Sequence, residues 1–188
     1  MADMINNNDL KNPVKVLFDE HDIITSAIET AKEAGKMIAI DEIAYEKLIR
    51  DLINFFRLYA DQFHHYKEEQ ILFPEMSKKN ELLEDGVIRE MFENHDDFRI
   101  MIKNIETFLD NKEFTKAQVQ LNTYAEALLD HIAVENDEVF QMAESLFDKE
   151  ELEKIYFRFD DCDREIGEKN KVELVMQLKE MQNKLLQQ

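Results

Sequence analysis

Tryptophan is missing altogether, and 188 residues contain only one cysteine, two prolines and three glycines. So few backbone breakers leave little material for the many turns of an all-β fold, and long helices are favoured instead. The single cysteine, Cys162, cannot close an internal disulfide and reads as an inert structural thiol. Basic residues are also short: 23 Lys and Arg face 42 Asp and Glu, a formal charge of -19. That balance repels nucleic-acid backbones and anionic headgroups, so neither nucleic acid nor a membrane is expected as a partner. No run reaches the eighteen or so apolar residues of a membrane span, and the opening MADMINNNDLKNPVKVL lacks a basic stretch followed by an apolar one. The expectation is a cytoplasmic protein with one main domain and a substantial core.

Apolar residues recur at helical spacing along almost the whole chain. After a polar leader over 1–12, Val14, Leu17, Ile24, Ala27, Ile28 and Ala31 mark a first helix that stops near Gly35. A second run over roughly 41–73 carries Leu48, Ile49, Leu52, Ile53, Phe56, Ala60 and Phe63, and Pro74 is expected to end or kink it. A third follows Gly86 with Ile88, Met91, Phe92, Phe98, Ile102, Ile105 and Leu109, and a fourth spans about 115–147 with Ala117, Leu121, Tyr124, Leu128 and Met142 on its stripe. Four amphipathic helices with short polar connections predict an all-α, antiparallel up-down-up-down four-helix bundle over 13–147. Residues 148–188 read as one or two further helices, interrupted near Gly167 and carrying Leu152, Ile155, Phe159, Ile166, Val172, Val175, Leu178, Met181 and Leu185. This extension is expected to pack on the bundle or to pair two copies as a homodimer.

Four of the five histidines fall on the apolar stripes of four different helices: His21, His64, His95 and His131. Residues equidistant from the turn between antiparallel helices lie at one height. The midpoint of 64 and 95 falls in the polar stretch 77–86, and that of 95 and 131 in 111–115. The midpoint of 21 and 64 misses the connection 35–41 by roughly a turn. The four rings can therefore meet at one depth. Glu68 and Glu135 each follow a histidine by four residues and share its helix face, so each pair offers a nitrogen and an oxygen to one site. Imidazole with carboxylate suits iron, manganese or zinc, and a carboxylate can bridge two ions. A buried unpaired carboxylate costs several kcal/mol, an objection a metal removes.

The segment FHHYKEEQILFPEM, residues 63–76, resembles the histidine-and-glutamate segment of hemerythrin-like (HHE) cation-binding domains: a His, three residues, a Glu-Glu pair, then Leu-Phe-Pro. HIAVE, ending at Glu135, is similar to the family's fourth-helix ligand pair, Glu20-His21 to its first-helix ligand and Asn94-His95 to its third. The likeness covers about 14–147, and FDDCDREIG, residues 159–167, is similar to the tail of some bacterial members. The resemblance implies an oxygen-accessible centre of two carboxylate-bridged iron ions, other divalent metals being an alternative. It implies His21, His64, His95 and His131 as terminal ligands and Glu68 and Glu135 as bridges. The oxygen carriers of the family have a further third-helix histidine where this chain has Met91, and an aspartate where it has Asn136. One nitrogen is thus missing, which argues against reversible oxygen carriage. His65 is the candidate substitute, although its face, with Asp51, Asn54, Asp61 and Gln62, reads as solvent-facing. Glu69 and Glu138 are weaker candidates, and Tyr45, Tyr66 and Tyr124 read as packing residues.

The function expected from this set is binding of, or reaction with, a small ligand such as oxygen, peroxide or nitric oxide. Two alternatives share the sequence: iron handling, including repair of iron-sulfur clusters, and a metal-free helical scaffold. Cluster-repair relatives usually carry a cysteine-bearing N-terminal domain, for which the leader here is too short.

Overall fold

The computed structural model describes residues 11–186, so the expected leader lies almost wholly outside the described residues. Among these residues there is no strand, and six helices carry the chain. Helix α1, Pro13–Ala34, opens where the Asn12 side chain accepts the Val14 N–H, with Pro13 at a position whose N–H no helix uses. Asp41 caps the next helix by accepting from Ile43 and Ala44 N–H. This helix, α2, covers 42–79 and changes winding along its length. It is α-helical over Glu42–Phe55, π-wound over Phe56–His65 and again over Glu68–Leu72, and α-helical over Phe73–Lys79. Helix α3 is Val87–Asp110. Helix α4 covers 114–146, with a π turn at Glu135–Val139 between the α-helical Phe114–Val134 and Phe140–Leu146. Helices α5, Lys149–Ile166, and α6, Glu168–Leu185, meet at Gly167, whose φ of 120° suits glycine; a Cβ there would come within 2.8 Å of the Asn170 side chain. No helix among the described residues is long and apolar enough to cross a membrane.

Pro74 does not end α2, which continues to Lys79. It follows directly on a π turn in which the Phe73 N–H reaches back to the Glu68 carbonyl. The local ladder has therefore already left the i→i−4 register that a proline ring blocks.

Two apolar clusters form the core, and the polar layer lies between them. One holds Ile24 to Ala34, Leu48 to Phe63, Phe98 to Leu109 and Ala117 to Ile132 among its segments; the other holds Val14 and Leu17, Ile71 to Met76, Ile88 and Met91, and Val139 to Ala143. Each of α1 to α4 crosses from one cluster to the other at its histidine. The π turns also shift the phase of the stripes. In α4 the buried residues after Glu135 are Val139, Phe140 and Ala143, while Met142, expected on the stripe, is only half-buried. Phe92, also expected on its stripe, is 36% exposed and meets Phe73 edge-on at its rim.

Helices α5 and α6 pack on α1 and α2. Their buried faces are Ile155, Phe159 and Cys162, then Leu174, Leu178 and Met181. Val172, expected inside, is 58% exposed, because the face that turns inward begins one residue earlier with Lys171. That lysine finds carboxylates in the interior, as described below.

Candidate metal centre

The five histidines and two glutamates form one buried layer. Ligand-type atoms of His65, His95 and His131 lie within 4.8 Å of one another, and so do those of His21, His64, Glu68 and Glu135. The misfit of His21 by roughly a turn in the height argument is absorbed, since its ring centroid lies 4.5 Å from that of His64. His65 is the main correction. It is buried, and its ring stacks on His95 at 3.8 Å and 13°. An ideal α-helix turns neighbouring residues about 100° apart, so His64 and His65 would face different directions. The π winding over Phe56–His65 alters that phase and turns both rings inward. Glu69 and Glu138 are not in the inner layer: Glu138 is exposed and Glu69 has an outer role. Tyr66, read as a packing residue, is 47% exposed, whereas Tyr45 and Tyr124 are buried.

The carboxylates join the two histidine groups. Glu68 Oε1 lies 3.5 Å from His64 Nε2, and its Oε2 3.7 Å from His95 Nε2. Glu135 Oε2 lies 3.2 Å from both His21 Nε2 and His131 Nε2, and its Oε1 3.9 Å from His95 Nε2. All four oxygens are buried without a hydrogen-bond partner, as are His21 Nε2 and His64 Nε2. Unpaired buried polar atoms are rare in native proteins, and these converge on one space. Cations held there would satisfy them, and the donor set of neutral nitrogen and carboxylate oxygen is what such cations take. The residues present therefore fit a bound metal.

An outer ring of partners holds four of the imidazoles in place through Nδ1, as second-shell groups do around metals. His21 Nδ1 donates to Asn136 Oδ1 at 2.8 Å, His64 Nδ1 to Glu20 Oε2 at 3.0 Å and His95 Nδ1 to Glu69 Oε1 at 2.8 Å. The Asn94 amide sits 3.4 Å from His131 Nδ1. Asp61 lies 3.6 Å from His65 Nδ1. Arg99 pairs with both Asp61 and Glu69, tying the partners of the stacked rings together. Asn136, at the position where an aspartate was expected of oxygen carriers, thus orients the His21 ring.

Burial, and behind it neighbouring charged imidazoles, holds His64 and His65 down to about 3; at His95 burial again dominates and holds it at about 3. These rings are neutral near pH 7, the form that binds metal. Burial, then the charge of Glu135, pushes the Glu68 carboxyl well above its usual range. At Glu135 burial acts the same way but is outweighed by His131 and His21, so that group sits well below it. The two neighbouring carboxyl groups are thus pushed in opposite directions, Glu68 toward its protonated form and Glu135 toward its charged one.

Outside the layer, a cavity of about 200 Å³ runs between α2 and α3 to His65 and His95. Phe56, Ala60, Phe98, Ile102 and Tyr124 form its apolar wall, and Arg57, Asp61 and Arg99 stand at its mouth. Both arginines are already paired, Arg57 with Glu106. The arrangement admits a small molecule and offers few free polar groups to a large one.

The outer partners were the least visible part from sequence. Glu20 stands beside His21, and Lys67 and Asp163 lie within the segments 63–76 and 159–167 that carry the resemblance, yet spacing along the chain gives no role to any of them or to Lys171. The available signal was Lys67 itself, three residues after His64 on an inward-facing stretch. No curated protein matches the chain. A family model described as the hemerythrin HHE cation binding domain matches residues 7–143, well over half of the chain.

Proposed function

The chain belongs to the hemerythrin HHE cation-binding domain family, and on that premise we propose that it holds two iron ions and binds or reacts with a small ligand: dioxygen, peroxide or nitric oxide. One ion is assigned to His21 and His64, the other to His65, His95 and His131, with Glu68 and Glu135 between them. The observation that carries the reading is the span of Glu68, one oxygen toward His64 and the other toward His95. A lone mononuclear site leaves one end of that carboxylate buried and unused.

The alternation of α1 to α4 between the two apolar clusters supports the antiparallel up-down-up-down bundle as the frame, with 13–147 as the domain and 148–188 as its helical extension. When bound, ferrous iron supplies a Lewis-acidic, redox-active position for a small molecule. The chain's own residues do the rest. The Nδ1 partners of His21, His64 and His95 keep those Nε2 lone pairs inward, the apolar clusters exclude bulk water, and the cavity at His65 and His95 gives passage. His65 restores the nitrogen that Met91 does not supply, so the departure from the oxygen carriers lies in which helix gives the fifth imidazole. Burial of every inner residue favours retention of iron over its donation. A metal-free scaffold leaves the orphaned carboxylates unexplained.

The test is anaerobic loading with ferrous iron, elemental analysis, and optical spectra before and after oxidation and azide addition. Two ions per chain with an azide-sensitive near-ultraviolet band are expected. One ion or none, with spectra indifferent to azide, overturns the proposal.

A further inference from the structure

Below the His64 side of the centre lies a second buried cluster that the metal reading does not use. Lys67 is fully buried and pairs with Glu20 Oε1 at 2.6 Å and Asp163 Oδ1 at 2.7 Å. Lys171 pairs with the same Glu20 oxygen and with Asp163 Oδ2 at 2.5 Å. Two cations and two anions from four helices thus close a ring: Glu20 from α1, Lys67 from α2, Asp163 from α5 and Lys171 from α6. Asp163 and Lys171 lie beyond residue 143, where the family match ends. The Lys171 ammonium also lies over the rings of Tyr59 and Phe63. The other oxygen of Glu20, Oε2, accepts from His64 Nδ1.

Buried charges of this kind are a poor source of net stability, because desolvation offsets most of their attraction. They do fix geometry. With Oε1 held by two ammonium groups, Glu20 has one orientation left for Oε2, and His64 has one tautomer and one ring angle. We infer that Lys171 and Asp163 are positioning residues for the metal centre, acting through Glu20 on His64, so that docking of the α5–α6 pair and metal binding at His64 reinforce each other. The inference rests on the metal reading above. The face of α6 makes the same point: a lysine leads Leu174, Leu178 and Met181 into the protein because carboxylates wait there, and a purely packing helix has no use for it.

The experiment uses the full chain with cobalt(II) as the probe, and compares wild type with Lys171→Met, Asp163→Asn, Lys171→Arg and Gln182→Ala. Gln182 joins α6 to Ser26 of α1 at 2.6 Å and to Thr30, away from Glu20, so its loss loosens docking alone. Cobalt affinity by chelator competition, the visible spectrum, and hydrogen exchange over 168–185 are read for each. Lys171→Met and Asp163→Asn are expected to weaken cobalt binding by about 10- to 100-fold and to shift the visible bands. Lys171→Arg recovers both, and Gln182→Ala changes exchange without moving the bands. Cobalt slows exchange over 168–185 in wild type and not in Lys171→Met. Wild-type affinity and spectrum in both Lys171→Met and Asp163→Asn overturn the inference alone, as does Gln182→Ala reproducing their full effect. Failure of the wild type to take up cobalt overturns the metal reading and this inference with it.

Discussion

The Nε2 atoms of His95 and His131, on α3 and α4, lie 3.0 Å apart at the centre of the buried layer. His95 donates its Nδ1 proton to Glu69, so its Nε2 presents a lone pair to the other ring. Two imidazole nitrogens about 2.1 Å from one cation, at a right angle, stand about 3.0 Å apart. The separation is that of a hydrogen bond between the two rings, and it also matches the spacing the proposed metal reading needs.

The two histidine groups should empty separately. His65→Leu and His21→Leu are each expected to lower iron content from two ions to about one per chain, with the fold retained by circular dichroism. Elemental analysis checks this. A His65→Leu protein with full iron and an unchanged spectrum removes His65 from the ligand set.

The metal-free protein should lose stability as pH falls from about 6.5 toward 3. His64, His65 and His95 stay neutral to about 3 when folded but take up protons near 6.5 when unfolded. Over that window the unfolded chain binds more protons, so stability falls with pH, by several kcal/mol if the rings act together. Glu68, raised by burial, acts with the opposite sign, since its folded form keeps a proton that the unfolded form gives up. Thermal melts of chelator-treated wild type and Glu68→Gln protein across pH 7 to 4 give the result, and a flat profile in Glu68→Gln, where the opposing carboxyl is gone, counts against buried neutral imidazoles.

Metal should raise the melting temperature. Binding to the folded state alone adds about 2.7 kcal/mol at a free concentration 100 times Kd. Calorimetry with and without ferrous iron under argon measures the shift, and a His64→Leu, His131→Leu double variant should show little of it.

Loss of Glu20 should be costly even without metal. Glu20→Ala leaves Lys67 and Lys171 facing only Asp163, an uncompensated buried positive charge. Breaking a buried pair on one side costs about 3–5 kcal/mol, to be read from urea unfolding. A change under about 1 kcal/mol would show that water relieves the cluster.

Filling the cavity should slow ligands without emptying the centre. Ala60→Phe narrows the passage to His65 and His95, and azide association is expected to slow about tenfold or more with iron content unchanged. Stopped-flow mixing with azide tests it, and an unaffected rate points to another route.

Much of this protein was written in local pattern. Scarce glycine and proline, four apolar periods and four histidines on them were enough for an all-helical chain with a histidine and carboxylate layer, since helix periodicity and burial are set by neighbouring residues along the chain. The i, i+4 spacing carried Glu68 and Glu135 to the site for the same reason. Three things were decided only in the folded state. The π winding of α2 and α4 put His65 inside and moved the stripe from Met142 to Ala143, because an extra residue per turn has no signature in composition and is stabilised by contacts with other helices. Lys67 and Lys171 went inward against their polarity because Glu20 and Asp163 come from distant parts of the chain to meet them. The ring partners Asn136 and Glu69 acquired their roles in the same way, since a hydrogen bond across helices depends on where two side chains end up and not on the sequence around either one.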